Sequence, residues 1–352
     1  MPRSAFSVIL SLTGLVLLTS CAFSSVDVAA PNLEADLLGP LPGLPFEHYQ
    51  AQRADGPPLD FYIAATERAA PLLLVIQGSG CSSAFGTNSD GSMFGTLAQD
   101  TIFGMAKERF TVLAVDKPGV EPGKFLEGGE MDECTDYTRS NHTLDNWTHT
   151  LSLAIDIAKS LKLVAHDEPI RILGISEGAV SAARLSAMRP DISHITYISG
   201  FGCVLMDDMI ALAQRDWRRA NADLSPEALQ AGNDAAATDI LDEFRQVFAT
   251  PEATDILVQG QTPKFWSSVG FACPAADMAL TDAEVFVAVG LEDKSLIAEG
   301  VEEIVIRRLQ QGKETKITRV VGGNHGLGIA TDENPFGRLI ATFEEAIDWM
   351  AQ

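Results

Sequence analysis

Pro169-Ile170-Arg171-Ile172-Leu173-Gly174-Ile175-Ser176-Glu177-Gly178-Ala179-Val180-Ser181-Ala182-Ala183-Arg184-Leu185 changes character in its middle. The first five residues are a short apolar run of the β type, and the last seven read as helix. Between them, Gly174 to Gly178 has the pattern G-x-S-x-G, which places a serine on a sharp strand-to-helix turn. Such a turn needs small residues two positions either side of the serine, because the backbone doubles back so tightly that side chains there would collide. It leaves Ser176 Oγ exposed at the C-terminal edge of a sheet, over a helix N-terminus that favours negative charge. The plain alternative is an ordinary strand–turn–helix, since Gly and Ser are common residues.

A serine nucleophile requires a base, and an acid that orients the base. Of six histidines, only His194 and His325 follow Ser176. His194 opens the strand-like run 195–199, which suits a structural role. His325 lies in Val320-Val321-Gly322-Gly323-Asn324-His325-Gly326-Leu327-Gly328, a loop whose glycines permit close approach to a neighbouring site. His325 is the expected base. The acid should follow the preceding strand, Glu284 to Gly290, in the turn Leu291-Glu292-Asp293-Lys294-Ser295. Asp293 is the expected acid, with Glu292, Asp207 and Asp208 as alternatives and surface charge as the bland reading of all four.

An oxyanion needs backbone N–H donors. Leu72-Leu73-Leu74-Val75-Ile76 reads as a buried strand that feeds the glycine-rich turn Gln77-Gly78-Ser79-Gly80-Cys81. Ser79 and Gly80 are the expected donors there, and the N–H of Glu177 is the expected partner. The rival reading is a dinucleotide loop beginning Gly78-x-Gly80. It fails at its third position, which is Ser83 rather than Gly or Ala.

Gln77-Gly78-Ser79-Gly80, Gly174 to Gly178, Asp293 and Asn324-His325-Gly326 stand in the order nucleophile, acid, base, with the oxyanion loop ahead of them. In this the chain resembles the α/β-hydrolase family from about residue 55 to its end. The Ser-Glu-Gly elbow is similar to that of peptidase S9-like and dienelactone-hydrolase-like relatives. Asp116-Lys117-Pro118-Gly119 looks like a turn of bacterial members, whereas Gln77 stands where many esterases have His. The resemblance implies a mainly parallel sheet with helices on both faces and a helical lid insertion. It also implies a Ser176-Asp293-His325 triad that cleaves a carboxylic ester through an acyl-enzyme. A serine exopeptidase or amidase, or a non-catalytic envelope protein on the same fold, are the other readings. No cofactor or metal is expected, and the substrate is a small-molecule ester or a short peptide.

The rest of the chain bounds these expectations. Strand-like runs near 59–64, 72–77, 110–116, 169–175, 194–199, 284–290 and 315–321 alternate with helical patterns at 143–162, 179–188, 296–311 and 336–350, the rhythm of a parallel sheet. Residues 205–280 show no clear strand and carry Trp217, Phe244, Phe248, Phe265, Trp266 and Phe271, which line a pocket or form the segment's own core. The expected division is therefore 51–204 and 281–352 as the core, with 205–280 as the lid. A formal net charge of −23 argues against nucleic acid and anionic membrane surfaces as partners.

At the N-terminus, Arg3 precedes a mostly apolar run from Ala5 to Leu18 that is too short to span a membrane comfortably. Leu17-Leu18-Thr19-Ser20-Cys21 resembles a bacterial lipobox, which implies a signal peptide at 1–20, lipidation of Cys21 and a tether over 21–50. The envelope, with the outer membrane favoured, is the implied location. Cleavage near Val28-Ala29-Ala30 with plain secretion is the alternative. In an oxidising compartment, Cys81, Cys134, Cys203 and Cys273 allow three connectivities; their positions favour 81–134 and 203–273, with buried free thiols as the alternative. Oligomeric state is not legible.

Overall fold

The computed structural model describes residues 34–352 apart from Asp55 and residues 127–130. The strands are β1 (Asp36–Pro40), β2 (Glu47–Ala51), β3 (Leu59–Ala64), β4 (Leu72–Ile76), β5 (Phe85–Thr87), β6 (Met93–Gly95), β7 (Thr111–Val115), β8 (Ile170–Ile175), β9 (Ile192–Ile198), β10 (Glu284–Gly290) and β11 (Lys316–Val320). The helices are α1 (Gln99–Ala106), α2 (Asp136–Asn141), α3 (Leu144–Ser160), α4 (Glu177–Met188), α5 (Leu205–Ala220), α6 (Pro226–Ala249), α7 (Pro263–Phe265), α8 (Pro274–Leu280), α9 (Glu302–Gln310) and α10 (Gly337–Met350).

Among the described residues, one sheet runs in the order β1-β2-β3-β7-β4-β8-β9-β10-β11. The β1, β2, β3 and β7 neighbours pair antiparallel. From β7 onward every neighbour is parallel. Strand β4 shows why both faces need cover. Leu72, Leu74 and Ile76 join one buried cluster, and Leu73 and Val75 join the other. A period of two sends a continuous apolar run to both sides of the sheet. Leu151 of α3, Ala182 of α4, Met278 of α8 and Ile304 of α9 cover the first face, while Ile102 of α1 and Phe343 of α10 cover the second. Because β4, β8 and β10 run parallel, the loops at 77–80, 176–178 and 291–295 leave the sheet at the same edge.

Two boundaries differ from the sequence reading. Residues 36–50, expected within the tether, form nearly all of the first hairpin of the sheet: β2 pairs with β3 and buries Tyr49 and Ala51. Five residues between proline-rich turns are too short a run for alternation to stand out. The lid, expected over 205–280, gives up its last helix. Ala275 and Met278 of α8 lie in the core cluster against the sheet, so the insertion proper is the α5–α6 hairpin and the connection through α7.

Disulfides join Cys81 to Cys134 and Cys203 to Cys273. The expected signal peptide, Cys21 and the first part of the expected tether lie outside the described residues. No helix among the described residues is long and apolar enough to cross a membrane.

Candidate active site

Ser176 stands between β8 and α4 with φ 56° and ψ −124°. That region is costly for a residue with a Cβ, on the order of 1–3 kcal/mol, and persists only where the surroundings enforce it. They do so here through close packing. A Cβ on Gly178 would collide with the carbonyl oxygen of Ile76, and one on Gly174 with the backbone of Gly178. The helix N-terminus can therefore sit directly against β4, with Ser176 at its tip.

His325 Nε2 lies 3.0 Å from Ser176 Oγ, and its Nδ1 lies 2.8 Å from Asp293 Oδ2. A carboxylate facing Nδ1 accepts a hydrogen bond from the N–H there, which keeps the proton on that nitrogen and leaves Nε2 as an acceptor. Asp293 is fully buried, and its Oδ1 accepts from the N–H of Ser295 at 2.7 Å, which fixes the carboxylate plane. The His325 loop is folded by Asn324, whose Oδ1 accepts from the N–H groups of Gly326 and Gly328, both at 3.0 Å.

The alternative acids lie elsewhere. Glu292 is exposed and pairs with Arg219 at 3.0 Å. Asp207 is exposed in the first turn of α5. Asp208 is buried, accepts from the N–H of Ile297 at 3.3 Å, and is pushed up to about 7 by burial, with Asp207 and Asp293 adding repulsion. His194 meets Ser193 Oγ at 2.9 Å and packs edge-on against Trp349.

The oxyanion loop approaches closely: a Cβ on Gly78 would stand 3.2 Å from Ser176 Cβ. Lys117 Nζ donates to the carbonyls of Gly78 at 2.7 Å and Gly80 at 3.0 Å, and to Glu177 Oε2 at 2.9 Å. The Lys117 side chain is wholly buried and that of Glu177 nearly so. On the far side of Glu177, His142 Nε2 stands 2.9 Å from Oε1. Burial works against the Glu177 carboxylate, yet His142 and Lys117 together hold it down at about 2. Burial pulls the Lys117 ammonium below its ordinary range, against the opposing pull of Glu177. The neighbouring Asp116 accepts from the N–H of Ala84 at 2.6 Å, Tyr62 Oη at 2.8 Å and Ser83 Oγ at 2.9 Å, and burial pushes it up to about 7.

A cavity of about 540 Å³ opens over Ser176 and His325 and is lined by Ser79 and Glu177 on the oxyanion side. Its apolar wall comes from the insertion: Leu205, Met209, Leu212, Ile240, Phe265 and Trp266. Of the aromatic residues singled out in the sequence, Phe265 and Trp266 both line the cavity and belong to the insertion's buried cluster with Phe244, while Phe248 is exposed. Arg215 of α5 donates to the backbone carbonyl of Asp293 at 2.9 Å and so ties the hairpin to the acid loop. Sequence reasoning did not assign Lys117, His142, Arg215, the Asn324 side chain or the Glu177 carboxylate. Lys117, His142, Arg215 and the Glu177 carboxylate act across segments distant in the chain, whereas Asn324 folds its own loop; the Asp116–Gly119 turn and Asn324-His325-Gly326 carried a local signal.

No protein-family model and no curated protein matches this chain. Solved structures match it in fold. An acylaminoacyl peptidase from Pyrococcus horikoshii aligns with a TM-score of 0.56 and 15% identity over 87% of this chain, which spans only 41% of that peptidase. Est1E from Butyrivibrio proteoclasticus, solved with ferulic acid bound, aligns with a TM-score of 0.51 and 17% identity over 85% of this chain and 96% of its own. A 2,6-dihydroxy-pseudo-oxynicotine hydrolase aligns with a TM-score of 0.51 and 13% identity, covering 87% of this chain and 67% of its own. The chain has the α/β-hydrolase fold.

Proposed function

We propose that this protein is a serine hydrolase that cleaves a carboxylic ester through an acyl-enzyme. The observation that carries the reading is the continuous relay from Asp293 through His325 to Ser176, with spacings of 2.8 and 3.0 Å. In this reading Ser176 Oγ attacks the ester carbon and His325 Nε2 takes its proton, later delivering it to the leaving alkoxide. Asp293 holds the imidazole in the required tautomer and stabilises its charged form. The N–H groups of Ser79 and Glu177 hold the oxyanion, and water then resolves the acyl-enzyme.

Ser79 is the better of the two loop donors. A trans peptide sets its C=O and N–H in opposite directions. The Gly78 carbonyl faces Lys117, so the N–H of Ser79 turns away from Lys117, and Ser79 lines the cavity with Ser176. The apolar wall from the α5–α6 hairpin favours an ester with an aryl or medium-chain group. Similarity to an acylaminoacyl peptidase keeps amide bonds as the second reading.

Fluorophosphonate labelling of the folded protein, with mass mapping of the adduct, tests the nucleophile. Adduct on Ser176 is expected, and its absence in folded protein overturns the reading. A panel of p-nitrophenyl esters and aminoacyl anilides then decides the bond, with turnover of the esters expected. We also read the N-terminus as an export signal with Cys21 as a lipid anchor in the bacterial envelope. Mass analysis of the N-terminal peptide from the membrane fraction tests this, and an unmodified Cys21 overturns it.

A further inference from the structure

We propose that Lys117 is the positioning residue of the oxyanion hole, holding both halves of it with one buried ammonium. The inference rests on the serine-hydrolase reading. The ammonium has three protons, and all three are committed: to the Gly78 carbonyl, the Gly80 carbonyl and Glu177 Oε2. The first two bonds belong to the loop after β4, and the third belongs to the residue that follows the nucleophile. The two N–H groups assigned to the oxyanion, those of Ser79 and Glu177, are therefore part of the segments that this one group grips.

Gly78 and Gly80 have no side chains to fix the peptide planes beside Ser79, and Gly80 has a φ of 93°, where few other residues go. Gln77, donating to the Ser82 carbonyl at 2.7 Å, and Cys81, bonded to Cys134, hold the ends of the loop. Some external group has to choose the orientation of the 78–79 peptide. If that peptide turned over, it would aim the Gly78 carbonyl at the oxyanion and replace attraction with repulsion. An ammonium donating to that carbonyl opposes the turn. Glu177 anchors the ammonium, and His142 stands behind Glu177 at 2.9 Å. His142 in turn stacks on Phe265 of the insertion, with ring centroids 5.5 Å apart. The site thus places the Lys117 ammonium and the Glu177 carboxylate, with His142 behind them, against the two segments that carry the oxyanion donors.

The alternative is an ion pair that supports only the fold, so the test needs a readout that folding alone does not move. We would prepare the full chain as wild type, Lys117→Met/Glu177→Gln and Glu177→Gln. The double variant leaves no unpaired carboxylate, and the single variant keeps an amide oxygen for the ammonium. Each would be measured for its thermal transition, for kcat and KM on a p-nitrophenyl ester, and for inhibition by a trifluoromethyl ketone, whose adduct carries an oxyanion.

In the folded double variant kcat should fall about 10²–10³-fold, comparable to loss of one oxyanion donor. KM should stay within about threefold, and trifluoromethyl ketone affinity should weaken in parallel with kcat. Glu177→Gln should show the same parallel at about tenfold, and it decides the matter if the double variant does not fold. A folded variant with kcat near wild type, or with kcat lost while the ketone still binds as tightly, overturns the proposal. Wild-type protein that takes no fluorophosphonate on Ser176 overturns the hydrolase reading itself, and Lys117's role falls with it. Labelled wild type without the parallel loss removes only the Lys117 assignment.

Discussion

Helix α4 and the α5–α6 hairpin both border the cavity, and they are held in opposite ways. Of the twelve residues of α4, nine are buried, from Glu177 to Ser186. In α5 only Asp208 and Leu212 are buried, and in the 24 residues of α6 only Phe244 and Val247. Helix α4 is fixed by burial on one side and by the elbow's close packing on the other. The hairpin packs through Phe244 and Val247 into the cluster with Phe265 and Trp266, and is otherwise tied at points: the Cys203–Cys273 disulfide near its base, Arg215 to the Asp293 carbonyl and Arg219 to Glu292. The element that aims the nucleophile is built to tolerate almost no change. The element that shapes the apolar wall is largely exposed and meets the loop of Asp293 through Arg215. Under the proposed function, chemistry and selectivity would fall to different parts of the chain.

Substitutions on each side of this division should differ in kind. Ser176→Ala should cost about 10⁶ in kcat, with His325→Ala nearly as severe and the pair together little worse, as expected of residues acting as a unit. Thermal melts of these variants should stay close to wild type or rise slightly, because the strained serine position gains nothing for stability. Steady-state kinetics beside melting curves would check both statements.

In the sheet under the site, Leu74→Ala should destabilise by about 2–5 kcal/mol, since the residue is fully buried between strands and α-helices. Denaturant unfolding at constant m would measure it. A change this large in the hairpin would show that the insertion is not the loosely held part.

Asp208 sharpens the comparison at the junction of the two regions. Its carboxyl is raised by burial from 3.8 to about 7. The folded state therefore holds this proton more tightly than the unfolded chain, and stability falls as pH rises from about 4 through 7. Asp208→Asn keeps an acceptor for the Ile297 N–H and cannot ionise. It should match wild type at pH 4 and exceed it by up to about 4 kcal/mol at pH 8. Melting temperatures across that range would check it, and a constant offset between the two proteins would count against the account.

Within the hairpin, Met209→Ala should enlarge the cavity and raise kcat/KM for longer acyl or alcohol chains relative to short ones, by about tenfold. A p-nitrophenyl ester series gives the ratio. Arg219→Ala removes an ion pair whose side chains are both about half exposed. It should change stability by less than about 1 kcal/mol and leave kcat unaltered.

Much of this was legible before any coordinates. Leu72 to Ile76 and Val285 to Val289 are continuous apolar runs that only a sheet covered on both faces can bury, and the alternation with helices makes that sheet mainly parallel. The glycines around Ser176 and His325 mark turns where backbone approaches backbone. Those signals are local, so the sequence carries them directly. The hairpin at 36–51 was not legible, because five-residue strands between prolines give too little alternation to detect. The end of the insertion was missed because α8 declares its allegiance only through Ala275 and Met278, small contacts against a sheet formed elsewhere in the chain.

What the sequence by itself determined is the class of fold and the residue types at its loop ends, since strand period, turn glycines and chain order are properties of neighbouring residues. Only the tertiary structure decided which carboxylate faces His325, which way the 78–79 peptide points and what Lys117 holds. Asp293, Asp208 and Glu292 are equivalent as letters. They differ in burial and in the groups that reach them, Ser295 N–H and His325 for Asp293, Ile297 N–H for Asp208 and Arg219 for Glu292, and those are set by how separate elements of the chain meet in the fold.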